Sequence, residues 1–338
     1  MIVGFIKPTI HNTQAKMTKH SQIFSRTGVS RYKNGKPVLT PKSGTFYSRA
    51  IYNSAAIVKG YKAHLLFRAE KSWDDCTGRI GLAVEKSSNS YKFSVRKEPV
   101  LWPEFDYEMF GCEDPRITKI KDTYVMTYTG FGKSRNGRRV ARACLATSKD
   151  LVNWDKHGPM FDEKEWYVRG TKPGGIIPHK INGSYVMHFS GENETGKVSI
   201  GIAVSRGANF YKWHISTRAN PILSPRKGAF DSVGLEPGPT AIISGSEILL
   251  IYNGWDHTRT HRPGIVSFKK NNPAKEVYRT GDSFADTQTE WETRGMTWRG
   301  FPKKIIFAAG YIERNKRREI YYGASDMYTC LFIAPSRA

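Results

Sequence analysis

The chain has 338 residues with 31 Gly, 17 Pro and 12% aromatic content, which suits many short strands joined by turns and excludes a disordered or coiled-coil protein. Its formal charge of +23, from 53 Lys and Arg against 30 Asp and Glu, invites a polyanionic partner. The basic residues instead cluster in loop-like stretches at 134–139 and 313–318 with no zinc-finger, RNP-type or basic-zipper pattern, so no nucleic acid is expected.

Residues 1–36 read as an N-terminal extension packing on the main domain, and residues 37–338 as that single domain with no linker inside it. The N-terminus lacks a signal-peptide pattern and no stretch approaches 18 apolar residues, so a cytoplasmic protein with no membrane partner is expected. Cys76, Cys112, Cys144 and Cys330 show neither metal-ligand nor disulfide-framework spacing. They read as buried free thiols, and no metal or other cofactor is expected.

Five segments share one strand pattern. In chain order they are His64-Leu65-Leu66-Phe67-Arg68, Tyr124-Val125-Met126-Thr127-Tyr128-Thr129-Gly130, Tyr185-Val186-Met187-His188-Phe189-Ser190-Gly191, Ile248-Leu249-Leu250-Ile251-Tyr252-Asn253-Gly254 and Glu319-Ile320-Tyr321-Tyr322-Gly323. Their anchors Phe67, Tyr128, Phe189, Tyr252 and Tyr322 are almost evenly spaced, and each interval holds four short antiparallel strands. The fold class is therefore all-β, a five-bladed β-propeller. If the aromatic strands are innermost, the polar residues at their ends meet in one funnel: Arg68, Thr129, Glu192, Asn253 and Asp326.

Two stretches concentrate further chemistry. Phe110-Gly111-Cys112-Glu113-Asp114-Pro115-Arg116 sets two adjacent carboxylates beside a turn-fixing proline and a forked cation. Glu236 lies in a loop stiffened by Pro237 and Pro239. Two carboxylates on neighbouring blades, Glu192 and Glu236, fit glycoside hydrolysis, in which one protonates the leaving oxygen while the other activates water or attacks. Trp73, Trp102 and Trp255 are candidate sugar-stacking rings.

The series Tyr52-Asn53-Ser54-Ala55-Ala56, Leu65-Leu66-Phe67-Arg68-Ala69, Gly111-Cys112-Glu113-Asp114-Pro115-Arg116-Ile117, Leu250-Ile251-Tyr252-Asn253-Gly254 and Tyr321-Tyr322-Gly323-Ala324-Ser325-Asp326 resembles glycoside hydrolase family 130. The resemblance implies a five-bladed propeller and inversion at the anomeric carbon of β-1,2- or β-1,4-linked mannosides. It also implies Asp114 as a proton donor, with Asn53, Arg68, Arg116 and Asp326 as sugar ligands; Glu113, beside Asp114, is a further substrate-binding candidate.

Most members of that family are phosphorylases, and this chain departs from their pattern. A His-Arg pair expected at the end of the third aromatic strand is replaced by Phe189-Ser190-Gly191-Glu192, while Arg139, Arg142, Lys172 and His188 remain as possible phosphate ligands. Water needs a carboxylate base and phosphate needs fixed cations. The expectation is an inverting hydrolase of β-1,2-mannosides using Glu192 and Glu236, their roles unordered and their carboxyls about 6.5 to 9.5 Å apart. Inverting mannoside phosphorolysis is the alternative. Thr129, Lys172 and Asn253 join the substrate ligands, and the expected partners are a small oligosaccharide, inorganic phosphate in the alternative, and a second copy in a homo-oligomer. A glycan-binding propeller without catalysis is the reading of a different class.

Overall fold

The computed structural model describes residues 28–335 apart from 135, 162–168, 207–209, 216–219 and 297–301. Most of the N-terminal extension lies outside the described residues.

Five four-stranded antiparallel blades follow one another. Blade 1 is Ala50–Lys59, Lys62–Glu70, Arg79–Glu85 and Phe93–Val95. Blade 2 is Gly111–Ile120, Thr123–Lys133, Arg139–Ser148 and Asp155–Pro159; blade 3 is Gly170–Ile176, Ser184–Glu192, Val198–Arg206 and His214–Ile215. Blade 4 is Gly234–Pro237, Glu247–Trp255, His261–Lys269 and Asn272–Arg279. Blade 5 is Ile306–Arg314, Arg317–Ala324 and Tyr328–Pro335, completed by Ser30–Arg31 from the start of the described chain. The protein is a five-bladed β-propeller.

The aromatic strands are the second of each blade, not the innermost. Each innermost strand comes just before its aromatic strand and meets the preceding blade through a parallel bridge: Gly78 to Gly111, Ala141 to Gly170, Val198 to Gly234 and His261 to Ile305. Between blades 5 and 1 the Ile51 amide donates to the Met327 carbonyl at 3.0 Å.

The anchor rings explain the repeat. All five are fully buried, and each lies opposite a small residue on the third strand: Phe67 over Gly81, Tyr128 over Cys144, Phe189 over Gly201, Tyr252 over Gly264 and Tyr322 over Cys330. A Cβ at Gly81 would come 2.2 Å from the Phe67 ring, so the ring itself demands the glycine. The two cysteines serve as small buried neighbours.

Where the anchor is tyrosine, its hydroxyl donates to a buried carboxylate in the loop entering that blade: Tyr128 to Glu108 at 2.7 Å, Tyr252 to Asp231 at 2.7 Å and Tyr322 to Glu292 at 2.9 Å. Each carboxylate is also held by a cation, Lys156, Arg279 and Arg31 respectively. Where the anchor is phenylalanine, the entering loop supplies a ring instead, Phe46 against Phe67 and Phe161 against Phe189. Burying a phenol requires a partner for its O–H, and the sequence provides one only where the oxygen is present.

Ring closure is reinforced by Arg314 of blade 5, which reaches Glu85 of blade 1 at 2.5 Å and Glu319 at 2.8 Å, both carboxylates being fully buried. Arg314→Ala would leave two buried charges facing each other, and the variant should lose about 3–5 kcal/mol of stability. Chemical unfolding monitored by tryptophan fluorescence measures this; a loss below about 1 kcal/mol would show the seam to be held by other contacts.

Candidate active site

Five innermost-strand residues share one register, each opposite the residue that follows an anchor. They are Tyr52 (opposite Arg68), Glu113 (Thr129), Lys172 (Ser190), Glu236 (Asn253) and Phe307 (Gly323). All five line a single cavity of about 1780 Å³ at one end of the ring.

Ordinary strand geometry sends successive side chains to opposite faces. In blades 1 and 2 a bulge breaks that alternation, the register jumping between Tyr52 and Ala55 and between Glu113 and Arg116. Asn53 and Asp114 sit in these bulges with φ of 48° each, a conformation Asn and Asp tolerate better than most residues. Both members of each consecutive pair, Tyr52 with Asn53 and Glu113 with Asp114, therefore line the cavity.

The Lys172 ammonium stands 3.3 Å from Asp114 Oδ2 and 3.3 Å from Glu236 Oε1, linking the carboxylates of blades 2 and 4. Asn53 donates its amide to Asp114 Oδ1 at 2.8 Å. The space for that amide exists because position 323 is glycine: a Cβ there would fall 2.1 Å from Asn53 Oδ1. Arg68 lies 2.8 Å from Glu113, 2.8 Å from Glu70 and 3.6 Å from Asp114. At the rim the Arg49 guanidinium lies 3.9 Å above the Trp73 ring and is paired with Glu70, while Lys303 meets Asp326 at 2.8 Å.

These contacts split the two adjacent acids. Burial pushes the Glu113 carboxyl up, and the neighbouring Asp114 charge adds to this against the pull of Arg68. Burial would raise Asp114 too, but Lys172, Arg68, the Asn53 amide and Arg116 together hold it well below the usual carboxylate range. Lys172 is raised despite its burial by Glu236, Asp114 and Glu113, so it stays charged. The surroundings thus favour a proton on Glu113 over one on Asp114.

The sequence profile of glycoside hydrolase family 130, described as beta-1,4-mannooligosaccharide phosphorylase, matches residues 16–337. The chain belongs to glycoside hydrolase family 130. A 1,2-beta-oligomannan phosphorylase of Thermoanaerobacter sp. (strain X514) is 31% identical over 298 residues, covering 86% of this chain and 92% of the relative. A beta-1,2-mannobiose phosphorylase of the same organism is 31% identical over 315 residues, covering 87% and 93%. Among solved structures, a putative glycoside hydrolase from Parabacteroides distasonis superposes with a TM-score of 0.79 at 27% identity, covering 92% of this chain and 97% of its own. A structure reported for glycoside hydrolases of family 130 that target beta-1,2 mannosidic linkages in Candida mannan gives a TM-score of 0.78 at 27% identity, with 92% and 96% covered. The protein is an enzyme of the glycosidase and glycoside phosphorylase class.

Among the residues nominated from sequence, this family 130 cavity gathers Asn53, Arg68, Glu113, Asp114, Arg139, Lys172, Glu236 and Asp326. It does not gather Glu192, Thr129, Asn253, Arg116, Arg142 or His188. Glu192 ends a second strand, opposite Gly170, with its side chain partly exposed and 3.9 Å from Arg169; the expected hydrolytic pair of Glu192 and Glu236 therefore does not share this cavity. Thr129 is buried behind Glu113. Asn253 spends its amide on both backbone groups of Ala308, at 2.9 and 2.8 Å, tying blade 4 to blade 5. Arg116 donates to the carbonyls of Asp114, Pro115, Pro237 and Gly238, tying blade 2 to blade 4. Arg142 donates to the Lys133 carbonyl, and His188 is buried against Phe268. The displacements of Glu192, Thr129 and Asn253 follow from the aromatic strand being second in its blade, one strand away from the axis.

Trp73 lines the cavity, whereas Trp255 stacks on His261 beside it and Trp102 stands exposed elsewhere. Cys76, expected to be buried, is exposed at the cavity mouth. Sequence reasoning missed Tyr52, Phe307, His261 and Lys303 as lining residues. The first two could have been found by counting back across each hairpin from the residue after the anchor. His261 and Lys303 arrive from separate loops, and nothing local announces them.

Lys172→Met and Glu236→Gln should each lower kcat/KM by about 100-fold or more, while Glu192→Gln stays within about threefold of the parent. Steady-state kinetics with a β-linked mannobiose measures all three. A Glu192→Gln variant as damaged as Glu236→Gln would contradict the geometry. If the raised Glu113 carboxyl is the proton source, the rate should fall on the alkaline side as that proton is lost, and this limb should vanish in Glu113→Gln.

Proposed function

We propose that the enzyme is an inverting phosphorylase of β-1,2-linked mannosides that releases mannose 1-phosphate. The observation that carries the reading is the Asp114–Lys172–Glu236 chain in the cavity, together with the position of Glu192 outside it. Hydrolysis by a two-carboxylate mechanism needs a free base facing a water. Glu236 is the acid left for that task, and it is engaged by Lys172. Phosphorolysis needs a cation to receive the phosphate dianion, and Lys172 with Arg139 at the cavity wall supplies positive charge. The β-1,2 linkage is supported by the two Thermoanaerobacter relatives, both named for it.

In this mechanism the Glu113–Asp114 pair is the acid. Lys172 keeps Asp114 ionised before phosphate binds. A phosphate dianion beside Lys172 offsets that field, so Asp114 gains proton affinity and can share the proton held by Glu113. The proton passes to the glycosidic oxygen as that C–O bond breaks. A phosphate oxygen then forms the new bond on the opposite face of the anomeric carbon, inverting it.

Hydrolysis with Glu236 as base is the second reading. It is favoured by the Glu236 carboxylate itself, which lines the cavity, and by the structural likeness to a family 130 hydrolase.

Incubation of the enzyme with β-1,2-mannobiose, with and without inorganic phosphate, separates the readings. Consumption only with phosphate, yielding mannose 1-phosphate, is the expected result. Release of two mannoses in phosphate-free buffer at the same rate would establish hydrolysis, and tight binding without turnover in either buffer would contradict both.

A further inference from the structure

Basic side chains are arranged differently at the two ends of the propeller. At the cavity end several are paired with acids, Arg68 with Glu70 and Glu113, Lys172 with Asp114 and Glu236, Lys303 with Asp326, and Arg262 with Asp256 and Asp286, while Arg139 and Arg259 also line the cavity. The opposite end is built from the hairpins joining first to second and third to fourth strands in each blade. Exposed lysines stand there on every blade: Lys59 on blade 1, Lys121 on blade 2, Lys180 on blade 3, Lys269 and Lys270 on blade 4, and Lys316 on blade 5.

Of the carboxylates at that end, Asp122 is paired with Lys149 and Glu85 and Glu319 with Arg314, while Asp150 accepts from the Val152 and Asn153 amides and keeps its charge. The lysines are oriented by contacts that leave their charge intact. Lys59 donates to the Asp150 carbonyl and lies over the Tyr124 ring, Lys119 lies over the same ring, and Lys180 lies over Tyr185. Tyr61, at the tip of the blade 1 hairpin, is 84% exposed.

From this arrangement we infer that the end opposite the cavity docks on an anionic phospholipid surface, leaving the cavity facing away from the bilayer. Turn tips from all five blades form a broad face, which suits a plane better than the groove a nucleic-acid strand needs. The cations are lysines on flexible stems, well suited to a hydrated headgroup layer and lacking the bidentate fork that reads phosphodiesters specifically. Polybasic clusters of this size are sufficient for reversible attraction to anionic leaflets. An exposed tyrosine among them is a side chain that settles at a membrane–water interface. Docking of this kind needs no spanning helix, and among the described residues no helix is long and apolar enough to cross a membrane.

The test is co-sedimentation of the full chain with sucrose-loaded vesicles of phosphatidylcholine alone or mixed with phosphatidylglycerol. Binding to the mixed vesicles only, weakening by about tenfold or more between low and high salt, is the expected result. The variant carrying Lys59→Glu, Lys121→Glu, Lys270→Glu and Lys316→Glu should lose that binding and keep its turnover, since none of the four lines the cavity. Absence of binding to the mixed vesicles at low salt would overturn the inference. So would equal binding to both vesicle types, unaltered vesicle binding by the variant, or a preference for duplex RNA or DNA over vesicles at matched phosphate concentration.

Discussion

The packing of each anchor ring over a glycine or cysteine of the neighbouring strand is the constraint on which the rest of the molecule depends. A fully buried Phe or Tyr with no room to shift fixes the register between the second and third strands. The same strand then pairs with the innermost one, so the residue after the anchor selects which inner-strand side chain reaches the axis. Five repetitions bring Tyr52, Glu113, Lys172, Glu236 and Phe307 to one level although they are far apart in the chain.

Chemistry enters where the repeat is broken. Bulges at Asn53 and Asp114 double the functional side chains that blades 1 and 2 present, and Lys172 joins the acids of blades 2 and 4 across blade 3. The buried staples made by Arg116 and Asn253 hold these blades in place without facing the cavity, so loss of either acts on catalysis through position. Differences in electrostatic surroundings then give two adjacent carboxyls opposite tendencies, proton affinity being raised at Glu113 and lowered at Asp114.

The propeller was legible in the sequence because burial forces the anchors to recur, and periodic apolar pattern is the signal that survives in a single chain. The depth of the aromatic strands was not legible. Innermost and second strands are both apolar, and the inner strand of blade 4 is split into two short pieces, Gly234–Pro237 and Ile242–Ser244, too short to stand out. That misplacement carried Glu192, Thr129 and Asn253 into the expected funnel. Glu113 and Asp114 were reached through the adjacent carboxylates of Glu-Asp-Pro-Arg, and Asn53 through the family resemblance alone. Lys303 and His261 depend on loops that meet only in the folded ring, and no spacing rule gives them away. The excess positive charge was visible at once, but the lysines shared by all five blades at the far end required knowing which hairpins point away from the cavity.

The arrangement around Lys172 is tested by a crystal structure of the Asp114→Asn variant with β-1,2-mannobiose and phosphate. The expected result is a glycosidic oxygen within hydrogen-bonding distance of position 114 and a phosphate oxygen at Lys172, on the far side of the anomeric carbon. A disaccharide whose scissile bond lies against Glu192, with Lys172 touching neither ligand, would contradict it.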